Sequence, residues 1–184
     1  MTLRKADAGD LDAMMAIIRG AQASMRALGI DQWQNGYPDA AVSAEDIARG
    51  ERYLAAEEEG IAACAYISFD GEPDYNHIEN GRWLTDGAYC VIHRIACDVR
   101  RRRTGAASFI IAQAKEMCRR RGVSSIRIDT HQDNAPMQAM LRKNGFVHCG
   151  TIFVQSGEKR LAFEAFEASA QDAAYRPENQ DIAG

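Results

Sequence analysis

YCVIHRIACDVRRRRTGAA, residues 89–107, decides the fold. Tyr89 to Val99 is apolar and β-rich enough for a strand. Thr104 to Arg121 follows as a helix, with Ala106, Ile110, Ala114 and Met117 on one face and Gly122 as its stop. Ser124 to Thr130 is the next strand. A strand, a helix and a second strand in that order form a right-handed crossover with parallel strands. The junction itself carries chemistry. A helix N-terminus presents unsatisfied N–H groups and a positive dipole end, which suits an anionic phosphate. Gly105 permits close backbone approach, Thr104, Ala106 and Ala107 leave the turn uncluttered, and Arg100 to Arg103 add positive charge at the rim. Arg119 to Arg121 instead sit in the last turn, where cations complement the negative end of the helix.

Working outward, Thr2 to Ala6 is a strand, and Asp7 to Leu28 is a helix with Leu11, Met14, Met15, Ile18, Ala21 and Met25 on one face. Ile30 to Ala41 reads as a loop and Ala44 to Arg49 as a short helix. Tyr53 to Glu58 and Ile61 to Phe69 form an antiparallel pair turning at Glu59-Gly60. Asp70 to Gly87 is a long loop, of a length that is either functional or mobile. Pro136 to Asn144 is a helix closed by Gly145, and Phe146 to Val154 pairs with Lys159 to Phe166 around Ser156-Gly157. The expectation is one α/β domain over residues 1–168, its mixed, mostly antiparallel sheet covered by helices on both faces. Residues 169–184 are polar and aperiodic and are expected to form a flexible tail.

Composition excludes several classes. At 184 residues the chain is long enough for one domain with a real core. A net charge of −4 gives no global pull toward nucleic acid or anionic membrane. No apolar run approaches the roughly 20 residues of a membrane span. The N-terminus lacks the pattern of a secretory leader, so a cytoplasmic protein is expected. Its five cysteines are scattered without a C-x-x-C pair, which fits reduced thiols and no metal site.

The run Arg102-x-x-Gly105-x-Ala107, after a strand and opening a helix, resembles the pyrophosphate loop of the GNAT superfamily of N-acetyltransferases. Asn134, a short helix and Gly145-Phe146 match a second signature of that family in order and spacing. The resemblance implies the GNAT fold, with the strand pair Tyr89–Val99 and Ser124–Thr130 splayed apart. It implies acetyl-CoA as co-substrate, held by the main chain of Ile95, Ala96 and Cys97, by Arg102, Arg103, Thr104, Gly105, Ala106 and Ala107, and by Asn134. Transfer to a primary amine would then be direct, within a ternary complex. A backbone N–H on the strand would stabilise the developing oxyanion. The family's usual general acid, a Tyr in the helix after Asn134, is replaced by Leu141. That departure leaves a second reading open, a non-catalytic acyl-CoA-binding or regulatory domain. A third, a nucleic-acid module using Arg100 to Arg103, is disfavoured by the Thr104-Gly105-Ala106 helix start.

The base must be a group poised near neutral pH, because an amine of pKa near 10 attacks only once deprotonated. On an unbroken strand Tyr89, Val91, His93, Ile95 and Cys97 share one face, and Cys90, Ile92, Arg94 and Ala96 the other. His93 is the candidate base; packing in the core is its bland alternative. Tyr89 is a candidate acid and His131 a reserve base or acceptor contact. Arg94 and Asp129 are expected to pair on the opposite face. Gln32, Trp33 and Tyr37 in one loop and Tyr75 and Trp83 in another suit the walls of an acceptor pocket, and Trp33 and Trp83 serve equally as covers for the core. The expected partner is a small-molecule or peptide amine, with a homodimer compatible with the reading; nucleic acid and membrane are not expected.

Overall fold

A computed structural model describes residues 1–101 and 104–166. The chain runs β1 (Thr2–Lys5), α1 (Leu11–Ala27), α2 (Ala40–Ala48), β2 (Arg52–Glu57), β3 (Gly60–Ser68), β4 (Tyr89–Cys97), α3 (Ala106–Arg121), β5 (Ser125–Thr130), α4 (Ala135–Lys143), β6 (Val147–Phe153) and β7 (Lys159–Phe166). One seven-stranded sheet has the order β1-β2-β3-β4-β5-β7-β6. Among the described residues β4 and β5 are its one parallel pair, on either side of the α3 crossover. The expected α/β fold with a mixed, mostly antiparallel sheet is therefore present. The expected tail of residues 169–184 lies outside the described residues.

Local chemistry sets the helix limits. Asp7 and Asp10 form a capping box ahead of α1, so a 3₁₀ turn precedes it. The Asp39 carboxylate accepts from the Val42 amide, and so α2 starts at Ala40, four residues before the apolar pattern suggests. Gly122 closes α3 in the left-handed conformation, and the Asn134 side chain opens α4 by accepting from Met137 N–H.

The sheet has two covered faces. α3 and α4 pack Ile110, Ile111, Ala114 and Leu141 against Ala63, Ala65, Ile67, Cys90, Ile92, Ile126 and Ile128. Burying each such isoleucine is worth about 1.5–3 kcal/mol relative to exposure. α1 lays Met14, Met15, Ile17 and Ile18 over Leu54, Cys64 and Ala96 on the other face. A third cluster, on Tyr75, Val91, Ile152 and Ala162, lies under the β3–β4 loop.

That loop is fastened down. Glu79 and Thr151 exchange two backbone hydrogen bonds at 2.8 Å, covering the edge of β6. The fully buried Glu164 carboxylate accepts from Leu84 N–H, Thr85 Oγ1 and Ser125 Oγ. Arg127 donates to the Thr85 carbonyl, lies 3.5 Å from Glu164, and is sandwiched between the Trp83 and Tyr89 rings.

One irregularity sets the site. Cys64 pairs with Ala96 and Tyr66 with His93, so Arg94 and Ile95 together oppose Ala65. Arg94 takes φ 49° to absorb the extra residue, which makes a β-bulge. The faces therefore exchange partway along β4. Tyr89, Val91 and His93 share a face as expected, but Ile95 and Cys97 turn to the α3 side and Ala96 to the α1 side. The unbroken alternation expected for this strand is corrected by the bulge.

Candidate active site

The turn ahead of α3 is open. Gly105 sits at φ 87°, a left-handed conformation that costs other residues about 1–2 kcal/mol, and a Cβ added there would meet nothing within 4 Å. No side chain caps α3, and its first backbone bond runs from Phe109 N–H to the Gly105 carbonyl. The amides before Phe109 thus have no partner within the helix. One of them, at Ala107, is aimed at the Cys97 thiol. Thr104 closes the turn by donating to the Arg101 carbonyl at 2.9 Å. Not all of the arginine run supplies mobile charge. Arg100 is held by Asp98 through Nε and Nη2, and Arg101 by Glu57 and Glu59. Arg102 and Arg103 lie outside the described residues.

Above this turn β4 and β5 part. Their ladder covers Tyr89–Val91 against Ser125–Arg127 and ends there, although β4 continues to Cys97 and β5 to Thr130. Ala96 and Cys97 pair with β3 on one side, which leaves the β5-facing edge of β4 without a ladder. An uncapped helix start, an unobstructed glycine and a free strand edge together fit a diphosphate joined to an amide-bearing arm, as in acetyl-CoA. Burial raises the Cys97 thiol to about 11, so it is neutral at pH 7.

His93 lies past the last β4 residue that pairs with β5, between two carboxylates. Its Nε2 is 2.8 Å from Glu72 Oε2 and its Nδ1 is 3.4 Å from Asp129 Oδ1. Tyr75, fully buried, donates its hydroxyl hydrogen to Asp129 Oδ1 at 2.8 Å. The bond from His93 outweighs partial burial and holds the Glu72 carboxyl below its usual range. Burial, with Asp129 beside it, pushes the Tyr75 hydroxyl well above its usual range. A cavity of about 350 Å³ opens beside this group, with Glu51, Tyr66, Glu72, His93 and Arg94 among its walls.

The remaining expected residues fall into distinct places. Tyr89 is held at the start of β4, where its hydroxyl accepts from Glu72 N–H at 3.1 Å. It is four residues from His93, roughly 13 Å along a strand, and braces the loop that carries Glu72. Asn134 uses its side chain on the α4 cap and on Gln32 Oε1, 2.8 Å away. His131 turns back on its own loop, where its Nδ1 accepts from Asp133 N–H at 3.2 Å. Trp33 packs against the α1 cluster and Trp83 donates to the Tyr75 carbonyl, and neither is among the described walls of the 350 Å³ cavity. Tyr37 is 40% exposed and accepts from Arg94 at 2.7 Å.

The expected Arg94–Asp129 pair does not form, because the β4–β5 register puts Asp129 on the face of Val91 and His93, and the bulge turns Arg94 toward Asp46. Its guanidinium grips the buried Asp46 at 2.8 Å and stacks on Tyr66, while Asp129 faces His93. Sequence reasoning also missed Glu72, and it read Tyr75 as a pocket wall, whereas Tyr75 is fully buried and donates to Asp129. The available signal was an acidic and aromatic run, Glu72-Pro73-Asp74-Tyr75, in an otherwise bland loop.

The acetyltransferase (GNAT) family model matches residues 22–146. Among solved structures, a GNAT-family acetyltransferase from Streptococcus agalactiae is 31% identical, with a TM-score of 0.78 over 91% of this chain and 96% of that one. An acetyltransferase from Staphylococcus aureus is 24% identical, with a TM-score of 0.68 over 90% and 99%. The PaiA N-acetyltransferase of Thermoplasma acidophilum, solved in complex with coenzyme A, shares the fold at 13% identity, with a TM-score of 0.68 over 90% and 98%. Among curated protein sequences, none matches the chain.

Proposed function

The chain belongs to the acetyltransferase (GNAT) family, and from that premise we propose that it transfers acetyl from acetyl-CoA to a primary amine of a small molecule or peptide, by direct attack in a ternary complex. One observation carries the reading: the β4–β5 ladder stops at Val91 and Arg127, and the stretch of β4 left unpaired on that side leads to the open, uncapped Gly105 turn. A strand edge with free main-chain groups and a cluster of first-turn amides are the two halves of a seat for a nucleotide thioester.

The chain's own residues then have defined tasks. The amides of the α3 first turn receive the diphosphate. The β4 edge at Ile95, Ala96 and Cys97 receives the arm, and an N–H there meets the carbonyl oxygen as it gains charge. The thioester supplies an acyl carbon activated by a thiolate leaving group. His93 takes the proton that the ammonium must lose, and the C–N bond forms as the C–S bond breaks. Cys97 takes no covalent part, because a thiol near 11 is not a nucleophile at neutral pH. No described helix is long and apolar enough to cross a membrane.

Leu141 favours a second reading, acyl-CoA binding without turnover, since it is fully buried in the α3 core and offers no acid to the leaving thiolate. A thiol pKa near 8.5 makes that acid dispensable. Calorimetry with CoA and a thiol-release assay over an amine panel separate the readings. Acetyl transfer predicts CoA binding and amine-dependent thiol release. Binding without release under any acceptor leaves only the second. Gly105→Glu places charge, bulk and backbone strain in the turn and should abolish CoA binding while the circular dichroism spectrum stays native. Unchanged affinity would remove the seat from this turn.

A further inference from the structure

The two ring nitrogens of His93 are not equivalent. Nε2 lies 2.8 Å from Glu72 Oε2, too close for two lone pairs, so a hydrogen sits between them. Glu72 is held ionised by this contact, which places that hydrogen on Nε2. A neutral imidazole carries one hydrogen, and Nδ1 is then a bare acceptor. Nothing among the described residues gives it one. Its neighbour Asp129 Oδ1 is a carboxylate oxygen 3.4 Å away that already accepts from Tyr75. His93 and Asp129 each stand two residues beyond the end of the β4–β5 ladder, so this contact spans the mouth of the β4–β5 opening.

Resting on the acetyl-transfer reading, we propose that Glu72 is a positioning residue that fixes the Nε2–H tautomer of His93, so that Nδ1 takes the acceptor's proton while Asp129 holds the acceptor's ammonium. The N–H bond of the ammonium breaks, the Nδ1–H bond forms, and the electron pair left on the amine nitrogen attacks the acyl carbon. The C–S bond breaks, and the departing thiolate takes the second proton that the nitrogen sheds, to leave as the free thiol. The resulting imidazolium lies between two carboxylates and returns its proton to solvent. This is the division of labour by which an acidic partner sets the tautomer of a histidine base.

Charged and titratable groups reach the ring from several elements. Arg49, Glu51 and Asp70 line the cavity that the ring faces. Glu72, Asp74 and Tyr75 come from the β3–β4 loop, Tyr66 from β3, Arg94 from β4 and Asp129 from β5, with Arg160 of β7 standing 3.9 Å behind Asp129. The loop supplies the proton-fixing partner and β5 supplies the counter-ion.

The test has two arms. Long-range ¹H–¹⁵N NMR of the histidine rings, with His93 assigned by His93→Gln, reads the tautomer without substrate. The expected result is a protonated Nε2 and a bare Nδ1, with that preference lost in Glu72→Ala. A protonated Nδ1 in the wild-type protein overturns the proposal. In the second arm, Glu72→Ala should lower kcat by ~10²-fold at unchanged CoA affinity, and Glu72→Gln, which keeps an acceptor oxygen, should recover part of it. Removing the anion beside the ring should also move the acidic limb of the pH–rate profile to lower pH in both variants. Wild-type rates with an unmoved limb overturn the proposal as well. Because the NMR arm needs no turnover, a wild-type enzyme that shows the tautomer but no thiol release would count against acetyl transfer alone.

Discussion

At the scale of single residues, the least expected feature is how much charge one carboxylate holds. Asp46 is fully buried and faces three arginines: Arg94 at 2.8 Å, Arg52 at 3.5 Å and Arg49 at 3.7 Å. Arg52 is itself fully buried, and its other partners are sulfur atoms, Met14 Sδ at 3.1 Å and Cys64 Sγ at 3.8 Å. Removing the carboxylate strands a buried guanidinium among weak acceptors. Asp46→Ala should therefore cost about 3–5 kcal/mol in urea unfolding. Arg49→Ala, at the exposed end of the cluster, should cost at most about 1 kcal/mol. Equal losses from the two variants would mean that the cluster is not organised around Asp46. None of this was legible in the sequence, because Arg94 finds its partner 48 residues away only after the bulge has turned it. The expectation that Arg94 faces Asp129 failed on register, which one sequence does not specify: Val91 pairs with Arg127, so Asp129 shares the face of His93.

At the scale of elements, the parts with strong periodicity or firm punctuation were readable. α3 was marked by its apolar face and by glycines at both ends, and α4 by Asn134, Pro136 and Gly145. The parallel crossover followed from their order. The β3–β4 loop was not readable, since its conformation comes from distant partners on β5, β6 and β7 rather than from its own pattern. Its docking leaves a mark at Gly81, where an added Cβ would lie 1.9 Å from the Cys149 carbonyl oxygen. That clash is with backbone, so it cannot be relieved by a rotamer change. Gly81→Ala should lift the loop from β6, which loosens Glu72 and Tyr75 around His93 while leaving the Gly105 turn untouched. The expected signature is faster amide exchange over residues 72–85 and a fall in kcat, with CoA affinity preserved. Protection equal to wild type would show that the loop accommodates the methyl group without undocking.

At the scale of the whole molecule, the same buried groups set the pH range of stability. On the acid side, Glu72, Asp98 and Asp10 are depressed, each chiefly by a side-chain hydrogen bond, from His93, Arg100 and Arg4 in turn. A depressed carboxyl contributes stability that is present above its unfolded value, near 4, and is lost as pH falls through its folded one. On the alkaline side, Cys97 and Cys149 are raised to about 11, Cys64, Cys90 and Tyr75 are raised as well, and burial or a neighbouring thiol is the leading cause. The sign reverses for these groups. Above pH ~8.5 the unfolded chain begins to lose thiol protons that the folded chain keeps, so the folded state binds more protons and stability falls with rising pH. Tm should thus be highest between about pH 5 and 8 and should decline on both sides. Because several groups share the alkaline limb, the half-buried Tyr53 and Tyr66 hydroxyls among them, it should be steeper than a single titration, and Cys97→Ala and Cys149→Ala should each flatten it. An alkaline limb unchanged in both variants would move the cause away from these thiols. This pH range matches what the site requires, since one set of buried groups keeps His93 oriented, Cys97 unreactive and the sheet closed at the pH where an imidazole accepts a proton.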